Sequence, residues 1–248
     1  MVFNRLTKVL ILPLYYLLHH NFIIGLIQKF LIKNFYYKDF TFFLNIKNIP
    51  LPNYSSFFFK TYEYNDRKLI ERNITKKNRC IVIGGGIGFI PCITYKISGN
   101  KLIIFEINSD LISNLNKNLI SNRCKYKLYN ENLVIFKNEK RKKFYLTNDF
   151  LATSSRIMTN KFIKIKNLYY KKIKNFKKFN TLIIDAEGDE QYYIENIKYL
   201  RNIKHLYFEL HHNIFGKKDV EKIMKNLKKN NFKIKDKCFN SFYFRREI

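Results

Sequence analysis

The sequence predicts an α/β fold in which a mostly parallel sheet carries helices on both faces. From residue 80 onward, short apolar runs alternate with longer helical segments, an order typical of a parallel sheet with crossover helices. The runs at 80–84 and 181–185 are continuously apolar until they end, as are strands covered on both faces. One run ends at glycines and the other at carboxylates. Because ligands bind at the carboxyl ends of strands in such sheets, the two runs predict one cleft.

The elements of the α/β domain follow one another in regular order. Pro91 lies in the first turn of its helix, where a missing N–H is tolerated. Asn108 or Ser109 caps the following helix. We predict helices over 66–74, 89–97, 109–122, 168–176, 190–200 and 217–229, and strands over 80–84, 101–106, 125–129, 181–185, 205–210, 232–235 and 239–244.

An inserted lobe and a closing hairpin complete this domain. The stretches 133–137, 142–146 and 162–166 predict short strands of a partly antiparallel lobe. The last two strands of the chain are joined by a short turn, which predicts a terminal antiparallel hairpin.

Residues 1–64 are predicted to form an N-terminal extension, helical to about residue 37 and aromatic and mixed from 38 to about 64, and residues 65–248 the α/β domain. Polar residues at 19–21 interrupt the apolar N-terminal stretch, which therefore does not suit a spanning helix. A signal peptide would need a small-residue cleavage site, and we see none. We expect a cytoplasmic protein. Residues 1–35 either touch the inner face of the membrane as an interfacial helix or pack on the α/β domain.

The chain is strongly basic, with 47 Lys and Arg against 19 Asp and Glu and a formal net charge of +28. Such a charge attracts nucleic acid, anionic lipid or acidic glycans. However, the basic residues are spread along the chain rather than gathered in one block. The excess of Lys, Asn, Ile, Phe and Tyr is also what an AT-rich coding sequence produces. A nucleic-acid partner is therefore not expected.

The four cysteines suggest neither a disulfide framework nor a zinc site. Cys80, Cys92, Cys124 and Cys238 form no Cys-x-x-Cys pair and have no zinc-type histidine spacing. We expect reduced thiols, as in cytoplasmic proteins.

A glycine-rich turn follows the first strand of the domain. Gly84, Gly86 and Gly88 allow a tight backbone turn and close approach of a ligand. Glu106, at the end of the next strand, can accept hydrogen bonds from ribose hydroxyls. Dinucleotide enzymes and S-adenosylmethionine enzymes share this arrangement. The dinucleotide fingerprint would need glycine at position 89, where this chain has Phe89, so S-adenosylmethionine is favoured and a dinucleotide oxidoreductase is not.

Acidic and imidazole side chains follow two later strands. Asp185, Glu187 and Glu190 come after one strand, and Glu209, His211 and His212 come at the end of the next. If the strands are neighbours, these groups converge beside the cofactor.

A hydroxyl that attacks a methyl sulfonium must lose its proton. Because histidine titrates near neutrality, His211 is the first candidate base and His212 the second. The alternative to a catalytic role is that these acidic and imidazole side chains are only part of the solvated or packed surface. Asp185, Glu187, Glu209 and His211 could also bind a divalent cation, but the sequence leads us to assign no metal site.

At these residues the chain resembles the FkbM-type methyltransferases. Phe105-Glu-Ile-Asn108 is similar to that family's F-E-P-N, and residues 115–122 are similar to its L-x-x-N-x-x-x-N. Residues 181–190 are similar to its K-I-D-V-E-G-A-E, with Asp185, Glu187, Gly188 and Glu190 in place. The resemblance covers roughly residues 60–245.

The resemblance implies a class I, Rossmann-like fold with a mostly parallel seven-stranded sheet. It implies S-adenosylmethionine-dependent methylation, usually of a hydroxyl on a sugar, glycan or natural product. By this resemblance, the cofactor is expected to contact Gly84, Gly86, Gly88, Glu106 and Asn108. Asp185 and Glu187 are expected at the rim of the active site.

Two alternatives to this function stay open. The family commonly has an acid two residues before the first glycine, where this chain has Val82, and this departure is compatible with a catalytically degenerate binding protein. The net charge of +28 is compatible with a nucleic-acid methyltransferase, although the Asn/Asp-Pro-Pro motif of base-modifying enzymes is absent.

Overall fold

A computed structural model of the chain describes residues 25–27, 29–30, 34–44, 46, 49, 51–139, 143–146, 153–154, 156, 158–211 and 214–247. The chain divides into two compact units, residues 1–62 and residues 63–248. The sequence led us to expect a boundary at residue 64.

The first unit contains an aromatic hairpin. Strands β1 (Asn34–Tyr37) and β2 (Phe40–Phe43) pair antiparallel, and helix α1 follows at Leu51–Phe58. The ring of Phe35 stacks on Phe42 at 4.8 Å and on Phe57 at 4.9 Å between centroids. Stacked rings at such distances bury large apolar areas and so hold a small unit together.

The helical extension predicted over the first 37 residues is wrong at its end. Residues 34–37 form strand β1 because Lys38, with φ of 50°, closes a tight turn that brings Tyr37 opposite Phe40. Residues 25–27 and 29–30 are helical as predicted. Most of the proposed interfacial segment lies outside the described residues. No helix in the described part of the chain has the length and apolar character that a membrane span requires.

The second unit contains a seven-stranded sheet and its helices. The strands of this sheet are β3 (Cys80–Ile83), β4 (Leu102–Phe105), β5 (Tyr126–Tyr129), β11 (Thr181–Ile184), β12 (His205–Glu209), β13 (Phe232–Cys238) and β14 (Ser241–Arg246). The helices are α2 (Tyr64–Asn73), α3 (Phe89–Ser98), α4 (Ser109–Ser121), α5 (Glu190–Glu195) and α6 (Lys217–Lys229).

Smaller strands build the inserted lobe. They are β6 (Asn132–Val134), β7 (Lys143–Leu146), β8 (Thr153–Ser154), β9 (Phe162–Lys164) and β10 (Asn167–Tyr169). Strand β7 pairs antiparallel with β8 and β9, whereas β10 pairs parallel with β6. The partly antiparallel character predicted for this lobe is confirmed.

The order of the large sheet is β13-β14-β12-β11-β3-β4-β5. Read from β5 to β13, and numbered by position along the chain, the strands run 3-2-1-4-5-7-6. The five strands from β5 to β12 are parallel to one another. The last strand of the chain, β14, is antiparallel to β12. This is the arrangement of class I methyltransferases, so the predicted fold class is confirmed.

Both faces of the central strands are covered. All four residues of β3, of β4 and of β11 are buried, although successive side chains on a strand point to opposite faces. The continuous apolar runs in the sequence have this cause.

One predicted helix is wrong and another is too long. Residues 168–176 form the end of β10 and short 3₁₀ turns, because residues 167–169 pair with β6 and Asn175 adopts a left-handed φ of 60°. The helix predicted over 190–200 ends at Glu195 and continues only as a 3₁₀ turn at Ile197–Tyr199.

Strands β3 and β11 approach each other very closely at their carboxyl ends. Gly84 has φ of 86°, and a Cβ on it would lie 1.8 Å from the carbonyl oxygen of Asp185. No side chain fits there, so this glycine is required by the packing of the two strands.

We predict that Gly84→Ala lowers the free energy of unfolding by about 3 kcal/mol or more, because steric overlap adds to left-handed strain. The matched control is Gly99→Ala, since Gly99 has φ of 67° but nothing within 4 Å of its Cβ position. The control should lose only about 1–2 kcal/mol. Urea unfolding of both variants measures the difference, and equal losses would contradict the packing argument.

Candidate functional site

The site lies where the strand order reverses. From β3 the chain builds outward through β4 and β5, and then returns to place β11 on the other side of β3. The amide of Asp185 donates to the carbonyl of Ile83 at 2.9 Å, which holds the two strand ends together. Ligands of open α/β sheets bind at such switch points.

On the β3 side, the glycine turn folds around a buried acid. Glu106 is 5% exposed, and its oxygens accept hydrogen bonds from the amides of Gly86 (2.9 Å) and Asn108 (2.7 Å). Burial raises the pKa of Glu106, and these amide hydrogen bonds oppose the rise. The backbone amides of Gly85 and Ile107 act in the same direction.

The three predicted loop glycines all have left-handed φ values, 86° at Gly84, 52° at Gly86 and 93° at Gly88. Gly88 also precedes helix α3, and a Cβ on it would come 3.1 Å from Leu115. Part of the need for glycine is therefore packing rather than ligand approach.

Asn108 has a structural role in addition to any contact with a cofactor. Its side chain accepts from the amide of Asp110 at 3.1 Å and so caps helix α4, as the sequence predicted. The position expected to bear an acid, Val82, is buried within β3.

On the β11 side, four carboxylates surround one imidazole. His211 Nε2 lies 3.4 Å from Glu187 Oε2, 3.5 Å from Asp185 Oδ1 and 3.8 Å from Glu209 Oε2. Its Nδ1 lies 3.4 Å from Glu190 Oε1. The side chain of His211 is only 12% exposed. We call these five residues the imidazole–carboxylate cluster.

Neighbouring strands bring the cluster together. Strands β11 and β12 are parallel, with Ile184 opposite Phe208, so Asp185 and Glu209 follow side by side. The predicted convergence of the two strand ends is therefore present. His212, the second candidate base, lies outside the described residues.

Glu190 clamps the loop that carries Glu187. Its side chain is completely buried, and its two oxygens accept from the amides of Ala186 and Gly188, both at 2.8 Å. The loop is tightly turned, with φ of 47° at Glu187 and 112° at Gly188. Ser154 of the inserted lobe donates to the carbonyl of Glu187 at 2.5 Å. Strained backbone of this kind is typical of functional loops.

A chain of hydrogen bonds orients the side chain of Glu209. Asn240 donates to Glu209 Oε1, and Asn65 in turn donates to Asn240 at 2.9 Å. The other oxygen, Oε2, is the one that faces His211.

Asp66, in the first turn of helix α2, adds a further acid that the sequence analysis missed. Burial raises its pKa to about 7, with a further contribution from the charge of Glu209. Nothing in the sequence around Asp66 marks it, because only the packing of α2 brings it to the strand ends.

The cluster strongly perturbs proton binding. Burial alone would lower the pKa of His211, but the interactions with Glu187 and Glu190 and the charge of Asp185 raise it to about 12. Burial raises the pKa of Asp185, the charge of His211 opposes this rise, and Glu187 and Glu209 add to it. The expected titration of His211 near neutrality therefore does not hold in this arrangement.

The structure describes all four cysteines. All four are free thiols, with Cys80 and Cys92 buried and the other two partly buried.

No protein-family model matches the chain, and no curated protein matches it. Solved structures of similar fold include an uncharacterized protein from Listeria monocytogenes serotype 4b, with 14% identity, a TM-score of 0.45 and coverage of 73% of this chain and 66% of that one. A ribosomal protein L11 methylase from Lactobacillus delbrueckii subsp. bulgaricus has 14% identity, a TM-score of 0.44 and coverage of 73% and 77%. A methyltransferase from Pyrococcus furiosus has 12% identity, a TM-score of 0.42 and coverage of 76% and 83%.

The chain thus spans just under two thirds of the Listeria protein's length. At these identities and TM-scores, the likenesses carry no argument about activity, substrate or cofactor.

We predict that Glu190→Gln lowers the free energy of unfolding by about 2–3 kcal/mol, because an amide cannot accept from both loop amides. Glu195→Gln, at the other end of α5, is the matched control. Glu195 pairs with the exposed Lys222 at 2.7 Å, and loss of such a pair should cost less than about 1 kcal/mol. Urea unfolding compares the two variants, and a loss in the control as large as that in Glu190→Gln would refute the clamp.

Proposed function

We propose that this chain is an S-adenosylmethionine-dependent methyltransferase of the FkbM type that methylates a hydroxyl group of a sugar or glycan. One observation carries the proposal. At the switch point of a class I sheet, a glycine turn with a buried acid lies on one side, and the imidazole–carboxylate cluster lies on the other.

The residues on the β3 side suit the cofactor. Glu106 follows β4, where a carboxylate can accept from ribose hydroxyls, and the left-handed glycine turn lies beside it. The cofactor supplies a methyl group bound to a sulfonium. The negative charge of Asp185 and Glu187 nearby favours such a cation.

The residues on the β11 side suit the proton that the acceptor hydroxyl loses. As the methyl carbon forms its bond to the hydroxyl oxygen and breaks its bond to sulfur, that proton must pass to a base. His211 holds a proton in this cluster, so a carboxylate, Asp185 or Glu187, is the acceptor. His211 would then position these carboxylates and balance their charge.

The charge of the cluster supports a polyhydroxyl acceptor. Carboxylates accept hydrogen bonds readily from sugar hydroxyls but repel phosphates. Four carboxylates and one imidazole carry net negative charge within a chain whose formal charge is +28. The rim of the site therefore favours a glycan over a polyanion.

A nucleic-acid acceptor is the second candidate. The overall charge of +28 is the observation that favours it, because such a charge attracts phosphate backbones at any point of the surface.

We predict that S-adenosylmethionine and S-adenosylhomocysteine bind the chain in calorimetric titration and that NAD does not. Glu106→Gln should weaken binding by about 10–100-fold, because charged hydrogen bonds to the ribose are lost. Glu221→Gln, an exposed acid on α6, is the control and should bind normally. Unchanged affinity in Glu106→Gln would remove this residue from the cofactor site. Failure of wild type to bind would favour the degenerate relative.

We predict that radiolabelled methyl groups pass from S-adenosylmethionine to a glycan fraction that glycosidase, and not nuclease, releases. Glu187→Gln should reduce turnover by about 10²–10⁴-fold, because the proton acceptor is lost, and should leave the affinity for S-adenosylhomocysteine, which carries no sulfonium charge, unchanged. Label in the nuclease-sensitive fraction, with binding that falls steeply as salt rises, would instead establish the nucleic-acid candidate.

A further inference from the structure

Three side chains of the imidazole–carboxylate cluster have the spacing of metal ligands. One ligand atom each from Asp185, Glu209 and His211 lies within 4.8 Å of the others. The pairs are His211 Nε2 with Asp185 Oδ1 at 3.5 Å and with Glu209 Oε2 at 3.8 Å.

These separations suit an ion better than they suit hydrogen bonds. A protonated imidazole bonded to a carboxylate should show about 2.7–2.9 Å. Ligand atoms about 2.0–2.2 Å from one metal ion lie about 2.8–3.6 Å from each other. The two distances from His211 Nε2, 3.5 and 3.8 Å, lie near the upper end of this range.

One inward oxygen of the cluster has no hydrogen-bond partner. Asp185 Oδ1 is shielded from solvent and makes no hydrogen bond. Glu209 is held by Asn240 through Oε1, which leaves Oε2 directed at His211.

A buried carboxylate lies behind the far nitrogen of the imidazole. Glu190 is completely buried and lies 3.4 Å from His211 Nδ1, which makes no hydrogen bond in the structure. When a metal ion binds Nε2, a carboxylate that accepts from the other ring nitrogen fixes the ring and its tautomer. Glu190 would therefore act as a positioning residue.

We propose that Asp185, Glu209 and His211 bind a divalent first-row transition metal ion, with Glu190 as the carboxylate that orients His211. An imidazole nitrogen beside carboxylate oxygens favours Mn²⁺, Fe²⁺ or Zn²⁺ over Mg²⁺ or Ca²⁺. The sequence alone led us to assign no metal site, because neither the ligand geometry nor the role of Glu190 can be seen in it.

The site also refines the chemistry, and this part rests on the proposed function. A bound ion would replace the proton on His211 Nε2, hold the acceptor hydroxyl and favour its deprotonated form. The released proton would pass to Glu187, the cluster acid that is not a ligand and that lies 3.4 Å from His211 Nε2.

The test is titration of the purified full chain, freed of metal by chelation, with Mn²⁺ followed by electron paramagnetic resonance. We expect one saturable site with nitrogen coupling from an imidazole. No binding at about 1 mM Mn²⁺, the weak end of protein cation sites, would overturn the proposal. Binding without nitrogen coupling would overturn it as well. Both measurements use the wild-type chain, so they do not depend on the folding of any variant.

Matched variants identify the ligands. His211→Ala and Glu209→Gln should weaken Mn²⁺ binding by more than the roughly 10–100-fold that loss of an outer partner causes. His205→Ala, at the opposite end of the same strand, and Glu221→Gln should bind Mn²⁺ like wild type. Equal losses in variants and controls would refute the assignment.

Cofactor titration separates this proposal from the proposed function. Binding of Mn²⁺ without binding of S-adenosylmethionine would support the metal site and reject the methyltransferase. Binding of S-adenosylmethionine without binding of Mn²⁺ would support the methyltransferase and reject the metal site.

Discussion

The close approach of two strand ends is the constraint on which the rest of the site depends. Gly84 and Asp185 meet backbone to backbone, and there is no room for even one methyl group between them. This contact sets the glycine turn after β3 directly beside the acidic loop after β11. A wider separation would place the two halves of the candidate site on different parts of the sheet edge.

The same device holds each half of the site in shape. Glu106 binds the amides of its own turn, and Glu190 binds those of the acidic loop. In both cases a buried carboxylate accepts hydrogen bonds from backbone amides of a loop that follows a strand. These amides have no partner in the sheet and would otherwise need water. Burial of an acid is unfavourable on its own, and these charged hydrogen bonds offset it. The two loops thus lie side by side, and the acidic loop carries Asp185 and Glu187.

Much of the fold could be predicted because it depends on local sequence. The strands β3, β4 and β11 are marked by continuous apolar runs, and the helix at Lys217–Lys229 is marked by its periodicity. Asn108 marks the start of α4. The helix predicted at 168–176 failed because pairing with β6, a contact 35 residues away in sequence, decides its first residues. The helix expected up to about residue 37 failed at its end because residues 34–37 pair with residues 40–43 across the turn at Lys38.

The sequence by itself determined the fold class, the glycine turn and the identity of the acids and histidine after β11 and β12, because each is encoded within a few residues. Only the tertiary structure decided how these side chains act together. It placed four carboxylates around His211, which moves the pKa of that imidazole far from neutrality, and it brought in Asp66 from a preceding helix. Electrostatic effects of this kind depend on distances of a few ångströms between residues far apart in the chain, and no local pattern encodes those distances.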